Sequence, residues 1–477
     1  MSFIYFINGL VCVFFAALMG VVAILFPETA GVFGISAALV GMVGVGVSLS
    51  TWSEFLDLNR LHTFLLTSSV WVTAAVAGAV PLWQWGLSPV DAVFEAMSGI
   101  TTTGSTVMSG LDDTPHGIIL WRALLQAVGG VGFIVTGIAM LPMLQVGGMQ
   151  LFRTESSDKG EKELRSAASF ASATLGIYLA LMAVCGFLYL VGGMGPFDAM
   201  THAMTTLSTG GYSGYDASFG HFTSPFLQWT GTIFMLLGAL PFAWYVRVVH
   251  RGALRSEQVE ALIKGLVVVI AVLSLWLVIA KGWGPFEAAT AVAFNVVSVV
   301  TTTGYATTDY TLWGPFAAVA FFLLTAAGGC TGSTAGGAKA MRWLLFVRAL
   351  RAKMQMIRAP HAVVAIRYEG MRVDEDTMRS VITFMMFYGL TFGGFTIVLD
   401  FFGLDFSTSA SAALTALANV GPGVGPIIGP AGNFATLSDP VKLILAFAMY
   451  LGRLEMITVY VLLTPLFWRE VGDLRRG

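Results

Sequence analysis

The chain has 477 residues, of which 56% are hydrophobic and 11% charged, against roughly 45 to 50% and about 25% in a typical soluble domain. A mean hydropathy of +0.79 and apolar runs near 20 residues that recur along the chain exclude an ordinary cytosolic enzyme and describe a polytopic membrane protein. The net charge of −2 excludes little by itself; membrane lipid is an expected partner and nucleic acid is not.

In chain order the spanning candidates are 3–26, 32–52, 61–84, 116–145, 167–192, 224–250, 258–281, 312–350, 378–401 and 437–467, ten crossings. The stretch from Met1 to Phe26 lacks the Lys or Arg that a signal peptide needs and reads as a retained helix. Four further segments are too short to cross and end in Thr, Ser and Gly: Val90 to Thr103, Phe197 to Thr209, Phe286 to Thr303 and Ser407 to Val420. Each lies between two spanning candidates. Residues 61–467 therefore divide into four units of helix, half-helix, loop and helix. The domain reading is two N-terminal helices over 1–60, then repeats over 61–145, 146–257, 258–360 and 361–477.

Aligned on their ends, the loops read Thr102-Thr103-Gly104, Ser208-Thr209-Gly210, Thr302-Thr303-Gly304 and Asn419-Val420-Gly421, with glycines 106, 94 and 117 residues apart. A single copy has a simple packing explanation, because small residues let transmembrane helices approach closely. Four copies in corresponding places point to loops that converge on one axis. Non-helical backbone at membrane depth survives only if it is buried in protein or lines a water-filled cavity. Glycine lets successive carbonyls turn, and rings of carbonyls replace the hydration shell of an alkali cation. A half-helix entering from outside also points its negative pole toward the membrane centre. No loop carries a basic residue, which argues against an anion pathway.

Placing the N-terminus in the cytoplasm puts all four loops on the outer side and returns the C-terminus to the cytoplasm. Of the 25 Lys and Arg, 21 then fall inside, among them Arg153, Lys159, Lys162, Lys339, Arg342, Arg475 and Arg476. Only Arg122, Lys281 and Lys442 fall outside, as the positive-inside rule requires. The charge resolves into +7 inside and −9 outside, and an acidic outer surface concentrates cations. Cys12, Cys185 and Cys330 lie too far apart in sequence for a CxxC, and the six histidines never pair at ligand spacing. No organic cofactor or resident metal centre is expected.

Midway through 312–350 comes Gly328-Gly329-Cys330-Thr331-Gly332-Ser333-Thr334-Ala335-Gly336-Gly337. A helix carrying so many glycines loses roughly 1 kcal/mol at each relative to Ala, so it should break there. Lys339 does not directly follow Gly337, and no Ser or Thr comes after it, so the phosphate-loop pattern fails. Two readings remain: a flexible segment, from Gly328 through Lys339, that blocks or clears an ion path, or a kink made for packing. Arg453 lies inside the last span, where a charge faces a polar interior by default. It is either a positive barrier beneath a cation filter or a structural arginine satisfied by backbone carbonyls. Glu455, two residues on, points to another helix face.

With Thr101-Thr102-Thr103-Gly104, Ser208-Thr209-Gly210-Gly211-Tyr212, Thr301-Thr302-Thr303-Gly304-Tyr305-Ala306 and Asn419-Val420-Gly421-Pro422-Gly423, the chain resembles the Trk/Ktr/HKT superfamily of potassium uptake proteins, in its TrkH-type pore subunit. The glycine-rich segment and Arg453 match two further motifs of that family. The resemblance implies an all-α membrane protein with a central pore built from four pseudo-symmetric helix, pore-helix, helix units, plus two extra N-terminal helices. It implies K+ as the transported ion and Gly104, Gly210, Gly304 and Gly421 as filter glycines. It further implies an intramembrane gating loop, a homodimer, and control by a TrkA-like cytosolic nucleotide-binding regulatory subunit at a bacterial inner membrane. Each loop has one reliable glycine, and Asn419 and Val420 replace the threonines, so looser selectivity than in tetrameric potassium channels is expected. The alternatives are a proton- or sodium-coupled secondary cation transporter and a membrane enzyme. For the latter, no His/Cys/carboxylate constellation is visible.

Overall fold

A computed structural model describes residues 2–52, 60–144, 163–252, 254–362 and 364–473. The inner-side charges Arg153, Lys159, Lys162, Arg475 and Arg476 lie outside the described residues. Helices α1 (Ser2–Leu25) and α2 (Ala30–Ser50) form an antiparallel pair closed by the Pro27–Thr29 turn. Small residues set their approach: a side chain at Gly9 would come within 2.9 Å of the Gly44 carbonyl oxygen.

Four helical units follow. The first contains α3 (Arg60–Trp85), α4 (Pro89–Ile100) and α5 (His116–Leu144). The second has α6 (Glu163–Val191), α7 (Pro196–Leu207), α8 (Pro225–Gly238) and α9 (Phe242–Arg251). The third has α10 (Glu257–Lys281), α11 (Pro285–Val300), α12 (Pro315–Thr325) and α13 (Ala340–Arg358). A hairpin of β1 (Arg367–Tyr368) and β2 (Met371–Arg372), pairing Tyr368 with Met371, is a small departure from the all-helical expectation. Last come α14 (Glu375–Phe401), α15 (Phe406–Ala418), α16 (Asp439–Arg453), α17 (Ile457–Leu462) and α18 (Pro465–Asp473).

Among the described residues α1, α2, α3, α6, α10 and α14 are long and apolar enough to cross a membrane, six helices, or seven crossings if α8 and α9 count as one. Their outward faces carry bare apolar side chains such as Ile24, Leu49, Val268, Ile279 and Ile397, an arrangement stable against lipid and not against water. The chain is a multi-span helical membrane protein. Two expected spans are broken. The stretch expected as a single helix over 224–250 bends by 91° between α8 and α9, at Ala239-Leu240-Pro241, where proline supplies no amide hydrogen and cannot continue the ladder. The stretch over 437–467 stops at Arg453 and resumes at Ile457, with Glu455 at φ 56° between. The break expected within 312–350 lies between Thr325 and Ala340.

The short helices α4, α7, α11 and α15 have 12, 12, 16 and 13 residues. Twelve residues rise about 18 Å against a hydrocarbon core of about 30 Å. Three begin with proline at their first position, Pro89, Pro196 and Pro285, where no amide hydrogen is missed. The fourth begins after Asp405, whose carboxylate accepts from the Thr408 amide at 3.1 Å. They form the centre of the molecule: every residue of α15 from Thr408 to Ala418 is buried.

In three of the four units the helix that returns after the short helix passes tightly against its end. A side chain at Gly129, Gly238 or Gly452 would strike the carbonyl of Ile100, Leu207 or Leu417 respectively, a contact repeated in three of the four units. Gly132 on α5 has nothing within 4 Å of where its side chain would stand. Gly129→Ala is therefore expected to destabilise the protein by about 1–3 kcal/mol through overpacking, while Gly132→Ala is neutral. Thermal unfolding in detergent compares the two, and equal midpoints would contradict the packing.

Candidate functional site

The four short helices deliver four loops with one backbone conformation. Thr102, Thr209, Thr302 and Asn419 have φ of 54°, 51°, 58° and 56°, a left-handed geometry that costs a non-glycine residue roughly 1–2 kcal/mol. The next amide in each loop bonds five residues back: Thr103 to Ser98 at 2.8 Å, Gly210 to Thr205 at 2.9 Å, Thr303 to Ser298 at 2.8 Å and Val420 to Thr415 at 3.0 Å. The following residue is glycine at positive φ in every case, Gly104 at 84°, Gly211 at 73°, Gly304 at 82° and Gly421 at 111°.

This repeat corrects the register of the second loop. The sequence alignment matched Gly210 to Gly104, whereas the backbone matches Gly211 to Gly104 and Gly210 to Thr103. Ser208 accordingly stands with Thr101 and Thr301. Either of two adjacent glycines satisfies a Thr-Gly pattern; the pairing of Gly211-Tyr212 with Gly304-Tyr305 was the signal that separates them.

The loops close into a ring. A side chain at Gly104 would collide with the Gly210 carbonyl oxygen, one at Gly211 with that of Thr303, and one at Gly304 with that of Val420. At Gly421 it would stand 2.8 Å from the carbonyl oxygen of Thr103. Each glycine is thus required by the carbonyl of the next loop, in the cyclic order first, second, third, fourth, first. Carbonyl rings of this kind are hard oxygen donors suited to a dehydrated alkali cation. A cavity of about 230 Å³ lies against the ring, lined among others by Gly104, Gly211, Gly304, Pro422 and Asp216.

Cross-braces hold the loops together. The Ser105 hydroxyl donates to the Gly421 carbonyl at 2.8 Å. Tyr212 donates to the Glu95 carbonyl at 2.8 Å, and the Tyr305 and Thr205 hydroxyls hydrogen-bond each other. Asn419 Nδ2 donates to Thr103 Oγ1 and to the Met449 carbonyl, both at 2.9 Å. Behind the first loop Arg122 pairs with Glu95 at 2.9 Å, both almost wholly buried, and donates to the Ser213 carbonyl at 2.8 Å. Arg122 was expected on the outer side, with nothing said of its burial. Hydropathy has no way to distinguish a buried ion pair from a solvated one. Lys442, likewise expected on the outer side, is buried against Asp91 at 2.6 Å.

Against the ring sits the glycine-rich segment. The Gly336 amide donates to Thr302 Oγ1 at 2.7 Å, and Thr334 Oγ1 lies 3.2 Å from Thr209 Oγ1. The rest of the segment fills the break between α8 and α9: Thr334 Oγ1 donates to the Gly238 carbonyl at 2.9 Å, the Cys330 amide to Ala239 at 2.9 Å, and the Phe242 amide to Gly332 at 2.9 Å. Thr331 donates its amide to Gln258 at 3.0 Å, and Ser333 its hydroxyl to the Cys330 carbonyl at 2.7 Å. Gly328 and Gly337 pack against each other, and Gly329 against Ala335 and Ala239.

Arg453 bridges two units, with Nη1 donating to the Thr334 carbonyl at 2.8 Å and Nη2 to that of Gly129 at 3.1 Å. Glu455 does not face Arg453 but pairs with Arg342 at 2.6 Å. Arg342 and Lys339 were expected among the cytoplasmic charges. Both are buried here, Lys339 bonding the Ala335 carbonyl and Arg342 stacking 3.9 Å from the Phe384 ring centre. Gly336, Asn419, Arg453 and Glu455 line a space of about 10 Å³, no more than a single water occupies.

Known proteins share this chain's sequence and architecture. The family described as TrkH, cation transport protein, matches residues 39–283 and 266–468. The Trk system potassium uptake protein TrkI of Halomonas elongata is 46% identical over 445 residues, covering 92% of this chain and 90% of that protein. Its counterpart TrkH of Escherichia coli is 33% identical, over 97% of this chain and 98% of that protein. The crystal structure of the potassium transporter TrkH from Vibrio parahaemolyticus superposes with a TM-score of 0.89 at 31% identity, over 98% of this chain and 100% of that one. By sequence over nearly its whole length and by fold, this chain belongs to the TrkH family of cation transport proteins, and it is a transporter and not an enzyme.

Proposed function

We propose that the chain takes up potassium across a bacterial inner membrane, crossing it ten times with both termini in the cytoplasm. Its four short helices are pore helices of four pseudo-equivalent repeats, and the loops after them form the selectivity filter. Thr102, Thr103 and Gly104, Thr209, Gly210 and Gly211, Thr302, Thr303 and Gly304, and Asn419, Val420 and Gly421 supply it, with Ser208 at its start. The observation that carries this reading is the closed ring in which each loop's carbonyl abuts the next loop's glycine. The C-terminal ends of the four helices face the ring and place their negative poles beside a cation. The relatives named as potassium uptake proteins support potassium as the ion.

In this reading the segment Gly328–Gly337 with Lys339 is an intramembrane gate, and Arg453 locks it shut. The guanidinium holds the Thr334 carbonyl and sets a positive charge below a cation filter. Helix α13, which follows Lys339 and leads toward the basic stretch ending at Arg379, is the route by which a cytosolic nucleotide-binding regulatory subunit of the TrkA type acts on a homodimeric pore. Broken helices also occur in ion-coupled carriers, and α8–α9 and α16–α17 are broken. Unitary currents in planar bilayers support the channel; flux coupled to a proton or sodium gradient, without unitary currents, supports the carrier.

Gly304→Ser drives a side chain into the Val420 carbonyl, and about 1.4 kcal/mol of preference lost in the filter lowers the K+/Na+ flux ratio about tenfold. Reconstituted vesicles measure it, and an unchanged ratio contradicts the filter. Arg453→Ala is expected to raise basal potassium flux about tenfold or more, by removing an unscreened like charge from the path. A folded variant whose basal flux equals or falls below that of the parent would remove Arg453 from the gate.

A further inference from the structure

The four loops share a backbone but differ in what fills the position before the glycine. The Thr103 hydroxyl pairs with that of Thr101 at 2.8 Å, and that of Thr303 with Thr301 at 2.9 Å. Val420 buries an isopropyl group. The second loop has Gly210 there and no side chain of its own. The volume is taken by Gln126, a fully buried residue of α5 in the preceding unit. Its Nε2 donates to the Gly210 carbonyl at 2.6 Å, and its Oε1 accepts from the Tyr212 amide at 3.0 Å. A side chain at Gly210 would collide with that carboxamide.

The pairing is particular to this loop. Gly129, Gly238 and Gly452 occupy one equivalent helix position, and three residues before them stand Gln126, Met235 and Met449. Two units thus carry an apolar thioether where the first carries an amide. Among the described residues no side-chain donor reaches the carbonyl of Thr103, Thr303 or Val420, whereas that of Gly210 is held.

We propose that Gln126 is a specificity-determining positioning residue of the ion pathway, acting through the Gly210 carbonyl. This rests on the reading of the loop ring as a selectivity filter. The two-point clamp fixes the second loop in place of the side chain it lacks. It also occupies one lone pair of a ring oxygen, so the four donors are unequal. Without the clamp the Gly210 oxygen is free to close on a smaller ion, which favours sodium relative to potassium.

The test uses the full chain in proteoliposomes and reads K+/Na+ permeability ratios for Gln126→Met, Gln126→Ala, Gly210→Thr, the double variant Gln126→Ala/Gly210→Thr, and Gly304→Ser. Gln126→Met conserves volume and introduces the residue found at the same position on α8 and α16, so it keeps the test valid if the alanine variant fails to fold. Loss of one buried hydrogen bond predicts a fall in the ratio of about fivefold for Gln126→Met and Gln126→Ala. Gly210→Thr alone is expected to collapse flux. In the double variant the new hydroxyl meets Ser208, reproducing the hydroxyl pairs of the first and third loops, and flux and ratio recover. If Gly304→Ser changes the ratio while both Gln126 variants keep it, the role of Gln126 is overturned and the filter stands. If Gly304→Ser also leaves it unchanged, the filter reading falls and takes this inference with it. A double variant no better than Gly210→Thr alone overturns the steric exchange between the two positions.

Discussion

Everything near the centre of this molecule follows from one constraint: backbone that is not helical, in a setting without bulk water, has to find its hydrogen-bond partners within the protein. The chain leaves the helical state at the four loops, at the α8–α9 bend, along Gly328–Gly337 and at Glu455. These departures answer one another. The carbonyls freed where α8 ends receive the Cys330 amide and the Thr334 hydroxyl, and the amide opening α9 goes to Gly332. The carbonyl of Thr334 receives Arg453. Remove any one break and the others lose partners whose absence costs about 1–3 kcal/mol each.

The same constraint explains why strain is tolerated at Thr102, Thr209, Thr302 and Asn419. Four non-glycine residues in the left-handed region, at equivalent positions, represent several kcal/mol stored in the loops. Each is held by the five-residue backbone bond that follows it and by braces from a neighbouring unit, such as Ser105 to Gly421 and Asn419 to Thr103. The ring is rigid because every loop is supported by another loop. Rigidity of this kind is what a site needs if it is to distinguish ions by oxygen placement.

Much of this was legible in the amino-acid order. The four short segments, their Thr/Gly endings, the break after Thr325 and the buried Arg453 all follow from hydropathy, glycine content and the cost of a charge in a span. Three things were not. Hydropathy reads composition along the chain, so it ran through Pro241 and Glu455 as if α8–α9 and α16–α17 were straight. A charge count assigns a side of the membrane by position and says nothing of burial, so it left unseen that Arg122, Lys339 and Arg342 are each buried against a specific partner. The Gly210-Gly211 doublet leaves the second loop one residue out of register in an alignment by sequence, whereas its dihedral angles match those of the other three.

That last error has a physical cause beyond ambiguity. In the second loop the side-chain volume at Gly210 is supplied from outside the repeat, by Gln126. A repeat alignment compares a loop with its equivalents and has no place for a filler contributed by the preceding unit. Four loops of equivalent backbone within one chain permit this. Identical subunits would have to repeat a change four times, whereas here the fourth loop can carry Asn419 and Val420, and the second can exchange a threonine for a glycine and a distant amide. The four oxygens of the proposed filter are therefore separately adjustable, each through a neighbour on a different helix.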